Sequence, residues 1–392
     1  MNREFLLEAV LAIVIGLLVV VLSVYRTSKE PKAGPMRRGG MVALLVYVVI
    51  AAPVIVRDGM TAWGLLALLI LAAVPVAGMQ LAGSRPAAQG TAPEYARRLV
   101  SIGLAAAMLI AAGQTLSMLS LVDPRVLVVV LAVVTALLVA QDGLAASGRI
   151  GSLAMWLMVI PVLIALALGF LLGRPGQAVG AIIKVDGPSL WTLLALAVGL
   201  FVLGGADAGL AASRAQDGWS PGRVLAGVFA LVILIGAGLL MFFGGAILAP
   251  SMQFFVVPAN LNLLPGLAGL VLAVLTVLFA ALVASPIGGL RTGDASAHWV
   301  SIGAAVAVVL ALLDPGLEWI VVAASLLAAS LAARTARGTM VGLIVAVVAG
   351  VVLTLTGNMA FGWQFLVAVV VVLGVSALVP AEDRTPEPAG NS

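Results

Sequence analysis

The sequence contains no cysteine and a single histidine, His298, among its 392 residues. A chain without thiols and with one imidazole offers no thiol chemistry, haem ligation, iron–sulfur cluster or ordinary zinc site. Charged residues are also scarce, at 9% of the chain, against roughly 25% in a typical soluble domain. So few charges could not cover the surface of a soluble protein of this size, and most of the chain is therefore expected to contact lipid.

The hydrophobic residues, 63% of the chain, are arranged in long runs. A helix needs roughly 20 apolar residues to cross the bilayer, and the runs predict an all-α polytopic membrane protein with thirteen transmembrane segments. The predicted segments, in chain order, are 5–25, 41–56, 60–82, 99–121, 126–146, 150–172, 190–212, 223–248, 263–284, 299–313, 316–333, 338–357 and 360–379. The first run is too long for a signal-peptide core and lacks a small-residue cleavage site, so it is expected to be retained.

The distribution of Lys and Arg predicts the orientation. If the N-terminus is outside, fifteen of the 20 Lys and Arg residues lie on inward loops and the C-terminal tail. The other five lie outside, and they are Arg3, Arg57, Arg125, Arg174 and Lys184. This excess of positive charge on the inner side follows the positive-inside rule. It predicts a protein of the cytoplasmic (inner) membrane of a bacterium, with its C-terminus inside. The charges are scattered over short loops, so the net charge of +4 does not indicate a nucleic-acid partner.

Ionisable residues inside the predicted segments are few. Asp142, Asp207 and Glu318 fall near segment ends, and Glu8 lies in the first turns of segment 1. Proton pumps need buried relays, and membrane enzymes need acids or a nucleophile with a base. No such set is present, so the sequence does not indicate an enzyme.

Two segments are interrupted by helix-breaking residues. Segment 2 carries Ala51-Ala52-Pro53, and segment 7 carries Gly204-Gly205; proline removes a backbone donor and clashes with the preceding turn. With segment 1 set aside, they open two five-helix halves, 41–172 and 190–333, which an odd helix number forces into opposite topologies. Such interruptions at matching positions are typical of a transporter binding site, although Gly and Pro are also common in ordinary membrane helices.

The polar side chains within segments give the remaining site candidates. Gln114 and Thr115 lie in segment 4, Trp156 in segment 6 and Ser285 at the end of segment 9. The alternative for each residue is a purely structural role, in which its side chain makes an ordinary interhelical hydrogen bond that contributes roughly 0.6 kcal/mol on average. Gln114 is the strongest candidate for solute contact, because its amide is the largest polar group well inside a segment.

Several short stretches resemble the sodium:solute symporter family. TAPEYARR at 91–98 is similar to the family's TLPEYLARRF, and Gln114 falls where the family has a glutamine in core helix 3. DGLAA at 142–146 is similar to GGLRA, LLPGLAGL at 263–270 to LLPPGLAGLLLA, and RTARGTMVG at 334–342 to RTNRRGALAG. The resemblance implies the leucine-transporter fold, with a 5+5 inverted-repeat core, one helix before it and two after it.

The resemblance also implies a sodium site. Its ligands would be carbonyls near Ala51 and Ala52 and the hydroxyl of Ser285, with Na⁺ as the coupling ion and no other cofactor. In the corresponding run the family has a second hydroxyl and an aspartate, where this chain has Ala284 and Ile287. The family's Gly-Gln-Pro in core helix 6 is replaced by 205–207, Gly-Ala-Asp.

The leading hypothesis is a secondary transporter that moves a small organic solute, such as a short monocarboxylate, across the bilayer. The expected solute contacts are Gln114, Thr115, Trp156, Gly204 and Gly205, and an apolar site disfavours a sugar, whose hydroxyls would lack partners. The alternative is a degenerate homologue that serves as a non-transporting subunit or scaffold with a membrane-protein partner. Three further parts are expected outside the two repeats. They are a peripheral first helix with a basic linker (1–40), two added helices (338–379) and a disordered tail (380–392).

Overall fold

The computed structural model describes residues 3–25, 33–56, 61–83, 90–160, 162–163, 167, 188–207, 210–211, 220–243, 267–291 and 297–379. These residues form thirteen α-helices and no strand. The helices are α1 (Arg3–Tyr25), α2 (Ala33–Ile55), α3 (Ala62–Gly83), α4 (Thr91–Ser120), α5 (Pro124–Asp142), α6 (Leu144–Leu157), α7 (Leu190–Ala206), α8 (Pro221–Phe243), α9 (Leu267–Gly289), α10 (Ala297–Leu313), α11 (Leu317–Ala329), α12 (Ala336–Leu355) and α13 (Trp363–Leu378).

The thirteen predicted segments correspond to the thirteen helices in the same order, and the segment 126–146 also includes the first three residues of α6. By length and composition, six helices can cross a membrane, namely α1, α3, α4, α5, α9 and α12. Shorter apolar helices of 10–17 residues account for α2, α7, α8, α10, α11 and α13. The prediction of an all-α polytopic membrane protein is confirmed.

Three helices begin six or more residues earlier than the hydropathy of the sequence predicts, and one of them is α6, which starts at Leu144 rather than at residue 150. The helix α4 starts at Thr91 rather than at residue 99, so TAPEYARR forms its first two turns instead of a loop. Glu94 and Arg98 form an ion pair one turn apart there, and the Arg98 guanidinium lies 4.3 Å from the Trp299 ring centroid on α10. The helix α2 starts at Ala33, within the predicted linker. Residues 26–32 and the predicted tail 380–392 lie outside the described residues.

A one-residue turn separates α5 from α6. Gly143 occupies it with φ of 61°, a left-handed conformation that favours glycine. The guanidinium of Arg291, just beyond α9, donates to three successive carbonyls at the end of α5, at 2.8 to 3.2 Å. The Val139 carbonyl also accepts the Gly143 N–H at 2.7 Å, but those of Ala140 and Gln141 would otherwise lack helical donors. Arg291 therefore caps α5 and ties it to α9.

A second arginine joins three elements at the same end of the molecule. Arg149 of α6 pairs with Asp142 of α5 at 2.9 Å and donates to the Val24 carbonyl near the end of α1 at 3.3 Å. Farther along α1, Gly16 lies so close to α9 that an added Cβ would be 2.8 Å from the Ala273 carbonyl oxygen. The first helix is therefore packed against the rest of the fold along its length.

The helix contacts fall into two groups. The helix α3 packs extensively against α2, α7 and α8, and α2 also contacts α8. A second group forms from α4, α5, α9 and α10, which contact one another. Between the groups, α6 lies against α2 and α9, and α11 lies against α7 and α4. The contact between α2 and α6 thus recurs five helices later as the contact between α7 and α11. In the same way, the contact between α4 and α11 corresponds to that between α9 and α6. This is the pattern that an inverted five-helix repeat predicts.

The closest helix crossing is between α3 and α7. A Cβ on Gly78 would overlap the Phe201 carbonyl oxygen, and one on Gly204 would overlap the backbone of Pro75. The two backbones therefore touch, as small residues permit in membrane helix pairs. This crossing holds the first group of helices together as one body.

We expect Gly78→Ala to destabilise the protein by about 1–3 kcal/mol, because the new methyl group must push α3 away from α7. Gly374→Ala is the matched control, since an added Cβ there meets no atom within 4 Å and alanine raises helix propensity by up to about 1 kcal/mol. Thermal unfolding of the purified variants in detergent measures the difference. Equal midpoints for the two variants would contradict the close crossing.

Candidate functional site

The helix α7 breaks at Asp207. The Asp207 N–H donates to the Leu203 carbonyl at 2.9 Å and completes α7, after which the backbone becomes extended. Asp207 then starts a new turn: its Oδ1 accepts the Leu210 N–H at 3.0 Å, and its carbonyl accepts the Ala211 N–H at 3.0 Å. The predicted interruption of segment 7 is therefore present, but the residue that makes it is Asp207 rather than the glycines before it.

A tyrosine of α2 contacts this break. The Tyr47 hydroxyl donates to Oδ2 of Asp207 at 2.8 Å, and the two residues are 0% and 5% exposed. Donors on both carboxylate oxygens stabilise its negative charge. The pair joins the first helices of the two predicted repeats inside the fold.

Asp207 differs from the other three acids of the predicted segments. Glu8 is exposed, Asp142 pairs with Arg149, and Glu318 accepts the Phe361 N–H at 2.8 Å at the start of α11. Among the described residues, Asp207 is the one Asp, Glu, Lys or Arg that is buried. Ionisable groups at membrane depth are costly and are functional candidates by default.

Three buried hydroxyls, those of Ser285, Thr115 and Ser101, differ from the others because they make no hydrogen bond within their own helix. Most buried Ser and Thr side chains donate to a carbonyl of their own helix one turn back, and these are Ser120, Thr135, Thr276, Ser325, Thr339 and Ser376. Within the described part of the chain, Ser285, Thr115 and Ser101 make no such bond, although they are 8%, 3% and 1% exposed. A buried hydroxyl without a partner carries a desolvation cost that a ligand can offset.

Proline supplies a second free oxygen beside Ser285. Pro286 has no N–H, so the Leu282 carbonyl, four residues earlier, loses its helical donor. Positions three apart share a helix face, which puts that carbonyl on the same side of α9 as the Ser285 hydroxyl. On α2, Pro53 frees the Val49 carbonyl in the same way, and α2 contacts α9.

The predicted unwinding at Ala51-Ala52-Pro53 is absent. The helix α2 continues to Ile55, and the Ala52 carbonyl accepts the Val56 N–H at 2.8 Å. Proline is tolerated here because the loss of one donor leaves the rest of the helical ladder intact. The role of Ala51 and Ala52 as cation ligands stays a prediction, and the carbonyl that proline frees is that of Val49.

The other predicted solute contacts lie in different environments in the structure. Trp156 is 62% exposed, on the outer face of α6, and it does not lie with the buried candidates. Gly204 and Gly205 are pressed against α3, which gives them a packing role. Gln114 is half-buried on α4, its side-chain amide makes no hydrogen bond within the described residues, and α4 contacts α9.

Sequence reasoning missed Tyr47. A lone tyrosine in the apolar run VALLVYVVIA carries no pattern of its own, and its partner lies 160 residues away. An acid within a segment, such as Asp207, needs a hydrogen-bond donor when it is buried. A search for that donor could have identified Tyr47, because the chain has only three tyrosines.

We expect Tyr47→Phe to lower stability by about 1–3 kcal/mol, because the variant leaves the Asp207 carboxylate with one buried oxygen short of its donor. Tyr25→Phe makes the same chemical change on a residue that is 58% exposed, and it should stay within about 0.5 kcal/mol of the wild type. Chemical or thermal denaturation in detergent would show the difference. Equal effects of the two substitutions would refute the buried hydrogen bond.

The comparisons with known proteins rest on structure. Neither a protein-family model nor a curated protein matches the sequence. A solved structure of a Na⁺-coupled sialic acid symporter, in a substrate-bound outward-open state, matches over 96% of this chain and 96% of its own, with a TM-score of 0.57 and 12% identity. The protein therefore has the leucine-transporter-type fold of a Na⁺-coupled symporter over nearly its whole length.

Proposed function

We propose that the protein is a secondary transporter that moves a small organic solute across the cytoplasmic membrane together with Na⁺. The observation that carries this proposal is the fold shared with a Na⁺-coupled symporter over 96% of both chains. The break of α7 at Asp207 supports it, because discontinuous helices at the centre of inverted repeats form the binding sites of such transporters.

The ion would bind between α2 and α9. Hard cations prefer oxygen ligands, and α9 offers the Ser285 hydroxyl together with the Leu282 carbonyl. The facing helix α2 offers the Val49 carbonyl, next to the carbonyls predicted at Ala51 and Ala52. The absence of a bond from Ser285 to its own helix supports this assignment, because the hydroxyl oxygen is available to a ligand.

The solute would bind where α4 faces the break in α7. Gln114 and Thr115 would provide an amide and a hydroxyl from α4, and Asp207 with Tyr47 would provide the opposite side. Alternating access would follow from rocking of the α2, α3, α7 and α8 group against the α4, α5, α9 and α10 group. The Arg291 cap within the second group and the glycine crossing within the first favour motion between the groups rather than inside them.

Sodium should stabilise the wild type, and Ser285→Ala should abolish that effect. A ligand that binds only the folded state adds RT ln(1 + [L]/Kd), or about 2.7 kcal/mol at a hundredfold excess over Kd. Thermal unfolding is recorded in sodium, potassium and N-methylglucamine chloride at equal ionic strength. Ser376→Ala is the matched control, since Ser376 is also buried but donates to the Val372 carbonyl on a helix outside the site.

The control should keep the full sodium response. A sodium-specific shift that both serine variants retain would place the ion elsewhere in the fold. No sodium-specific shift in the wild type would rule out Na⁺ coupling and leave an uncoupled carrier or a non-transporting subunit.

The proposed orientation can be tested directly, because the chain has no native cysteine. Ala360→Cys, in the turn between α12 and α13, should react with a membrane-impermeant maleimide on intact cells. Arg334→Cys, in the turn before α12, should react only after lysis, since the positive-inside rule puts the two turns on opposite sides. Both positions are exposed. The opposite labelling pattern would show that the topology is inverted relative to the one proposed.

A further inference from the structure

We propose that a cleft between α11 and α12 binds an acyl chain of a phospholipid whose headgroup carries a primary ammonium group, such as phosphatidylethanolamine. The cleft has a volume of about 430 Å³, and its walls come from the first half of α11 and the second half of α12. Its lining residues are distinct from those of the proposed ion and solute sites. The inference therefore does not depend on the transport function.

The cleft exists because α11 and α12 diverge from the short turn that joins them. Near that turn, a Cβ on Gly342 of α12 would overlap the Ser376 hydroxyl and lie 3.0 Å from Cβ of Ser330, just beyond α11. Two helical turns later, a Cβ on Gly350 would meet only Cδ1 of Leu326, at 4.0 Å. The helices are thus closely packed at Gly342 and separated at Gly350, and the separation leaves the cleft.

The cleft opens out of the helix bundle. Its floor includes Leu326 and Ala346, which are buried, whereas its edge on α12 is formed by residues that are more than half exposed, namely Val347, Val351 and Leu355. By length and composition, α12 can cross a membrane, so the medium beside this edge is hydrocarbon rather than water. An occupant that enters from that side is therefore apolar.

The dimensions of the cleft fit one acyl chain. From Ala346 to Leu355 it follows α12 for about 14 Å, at a rise of roughly 1.5 Å per residue. This length is close to that of one leaflet, since the whole hydrocarbon core is about 30 Å thick. Spread over that length, the volume gives a mean cross-section of about 30 Å², which is too narrow for a helix roughly 10–12 Å across. A lipid chain therefore fits, whereas a helix of a second copy does not.

A carboxylate lies at the rim of the cleft. Trp319 and Met359 line the end of the cleft where α11 begins and α12 has ended. Glu318, next to Trp319, accepts the Phe361 N–H on Oε1 at 2.8 Å and so joins the start of α11 to the turn between α12 and α13. Its Oε2 makes no hydrogen bond within the described residues, and this oxygen is available to a ligand.

The charge of the rim selects the headgroup. The two rim segments, 314–319 and 356–362, contain two acids, Asp314 and Glu318, and no Lys or Arg. A primary ammonium group can donate a charge-assisted hydrogen bond to the free carboxylate oxygen. A headgroup that has a phosphate and no ammonium would meet only charges of its own sign. The proposed orientation puts this rim at the outer surface, so the lipid belongs to the outer leaflet.

A bound chain would support α11 from the side that the protein leaves uncovered. On its other sides, α11 packs against α7 and α4, which belong to the two different groups of helices. Against α7, a Cβ on Gly199 would lie 3.2 Å from the Ser325 hydroxyl oxygen. A chain in the cleft adds dispersion contacts to the opposite wall, and lipid binding is therefore expected to stabilise the fold.

The test uses purified full-length protein that has been stripped of lipid in detergent. Phosphatidylethanolamine or phosphatidylglycerol with the same palmitoyl and oleoyl chains is then added in mixed micelles. The thermal unfolding midpoint is recorded against lipid concentration, and native mass spectrometry counts the retained lipids. We expect phosphatidylethanolamine to raise the midpoint with about 10-fold higher apparent affinity than phosphatidylglycerol, as one charge-assisted bond provides. Dihexanoyl phosphatidylethanolamine, whose chains are too short to fill the cleft, should leave the midpoint unchanged.

Gly350→Leu should abolish the lipid response, because its side chain occupies the cleft. Gly374→Leu is the matched control, since it makes the same change on α13 at a position where an added Cβ meets no atom within 4 Å, and it should respond to lipid like the wild type. If Gly350→Leu does not fold, Ala323→Leu fills the cleft from the opposite wall and should give the same loss.

Glu318→Gln should remove the preference for phosphatidylethanolamine while the response to long-chain lipids remains. The amide oxygen of glutamine can still accept the Phe361 N–H, so the link between α11 and the turn is kept. Asp123→Asn is the control, because it neutralises an exposed acid that caps α5, where asparagine caps equally well. It should keep the preference of the wild type.

Three results would overturn the proposal. The first is a wild type that retains no lipid and shows no change in its midpoint. The second is an equal lipid response of Gly350→Leu and Gly374→Leu, which would put the lipid elsewhere on the surface. The third is equal affinity of the wild type for the two headgroups, which would remove the role of Glu318.

Discussion

In the hydrocarbon interior, every backbone group that leaves its helix must find another partner within the protein. Asp207 meets this requirement at the end of α7: its own N–H closes one helix, and its side chain and carbonyl accept the Leu210 and Ala211 amides of the next turn. The Tyr47 hydroxyl then binds the remaining carboxylate oxygen and brings α2 to the same point. The helix break is stabilised here because a single residue, through its backbone and its side chain, provides partners to both helix ends.

The rest of the fold is arranged around that point as two groups of helices with different kinds of internal support. The α3–α7 pair is held by direct backbone contact at glycine, which needs no polar group. In the second group, the α5–α9 connection depends on Arg291, whose guanidinium binds three carbonyls of α5. At the same end of the molecule, Arg149 joins α6 to α5 and α1 through the Asp142 carboxylate and the Val24 carbonyl. Arginine suits this role because its planar donors can serve two or more acceptors at once.

The sequence was sufficient for the number and order of the helices, because hydropathy and the positions of Lys and Arg report directly on contact with lipid and water. It misplaced the start of α4, where an ion pair and the Trp299 ring stabilise a polar helical turn that hydropathy treats as a loop. It assigned Gly204 and Gly205 to a solute site, and the structure shows that both lie against α3 at a helix crossing. In a sequence, a glycine that interrupts a helix at a binding site cannot be distinguished from one that permits close helix packing. The distinction requires the position of the neighbouring helix. Tyr47 could not be found at all, because its function depends on a partner 160 residues away.

The glycine crossing also has a consequence for measurement. Two helices whose backbones touch cannot change their separation without a loss of contact along the whole interface, so α3 and α7 define a fixed internal length. The capped α5–α9 pair defines another one in the second group. Spectroscopic probes placed within either pair would report a constant distance, against which any change between the pairs could be calibrated in the same sample.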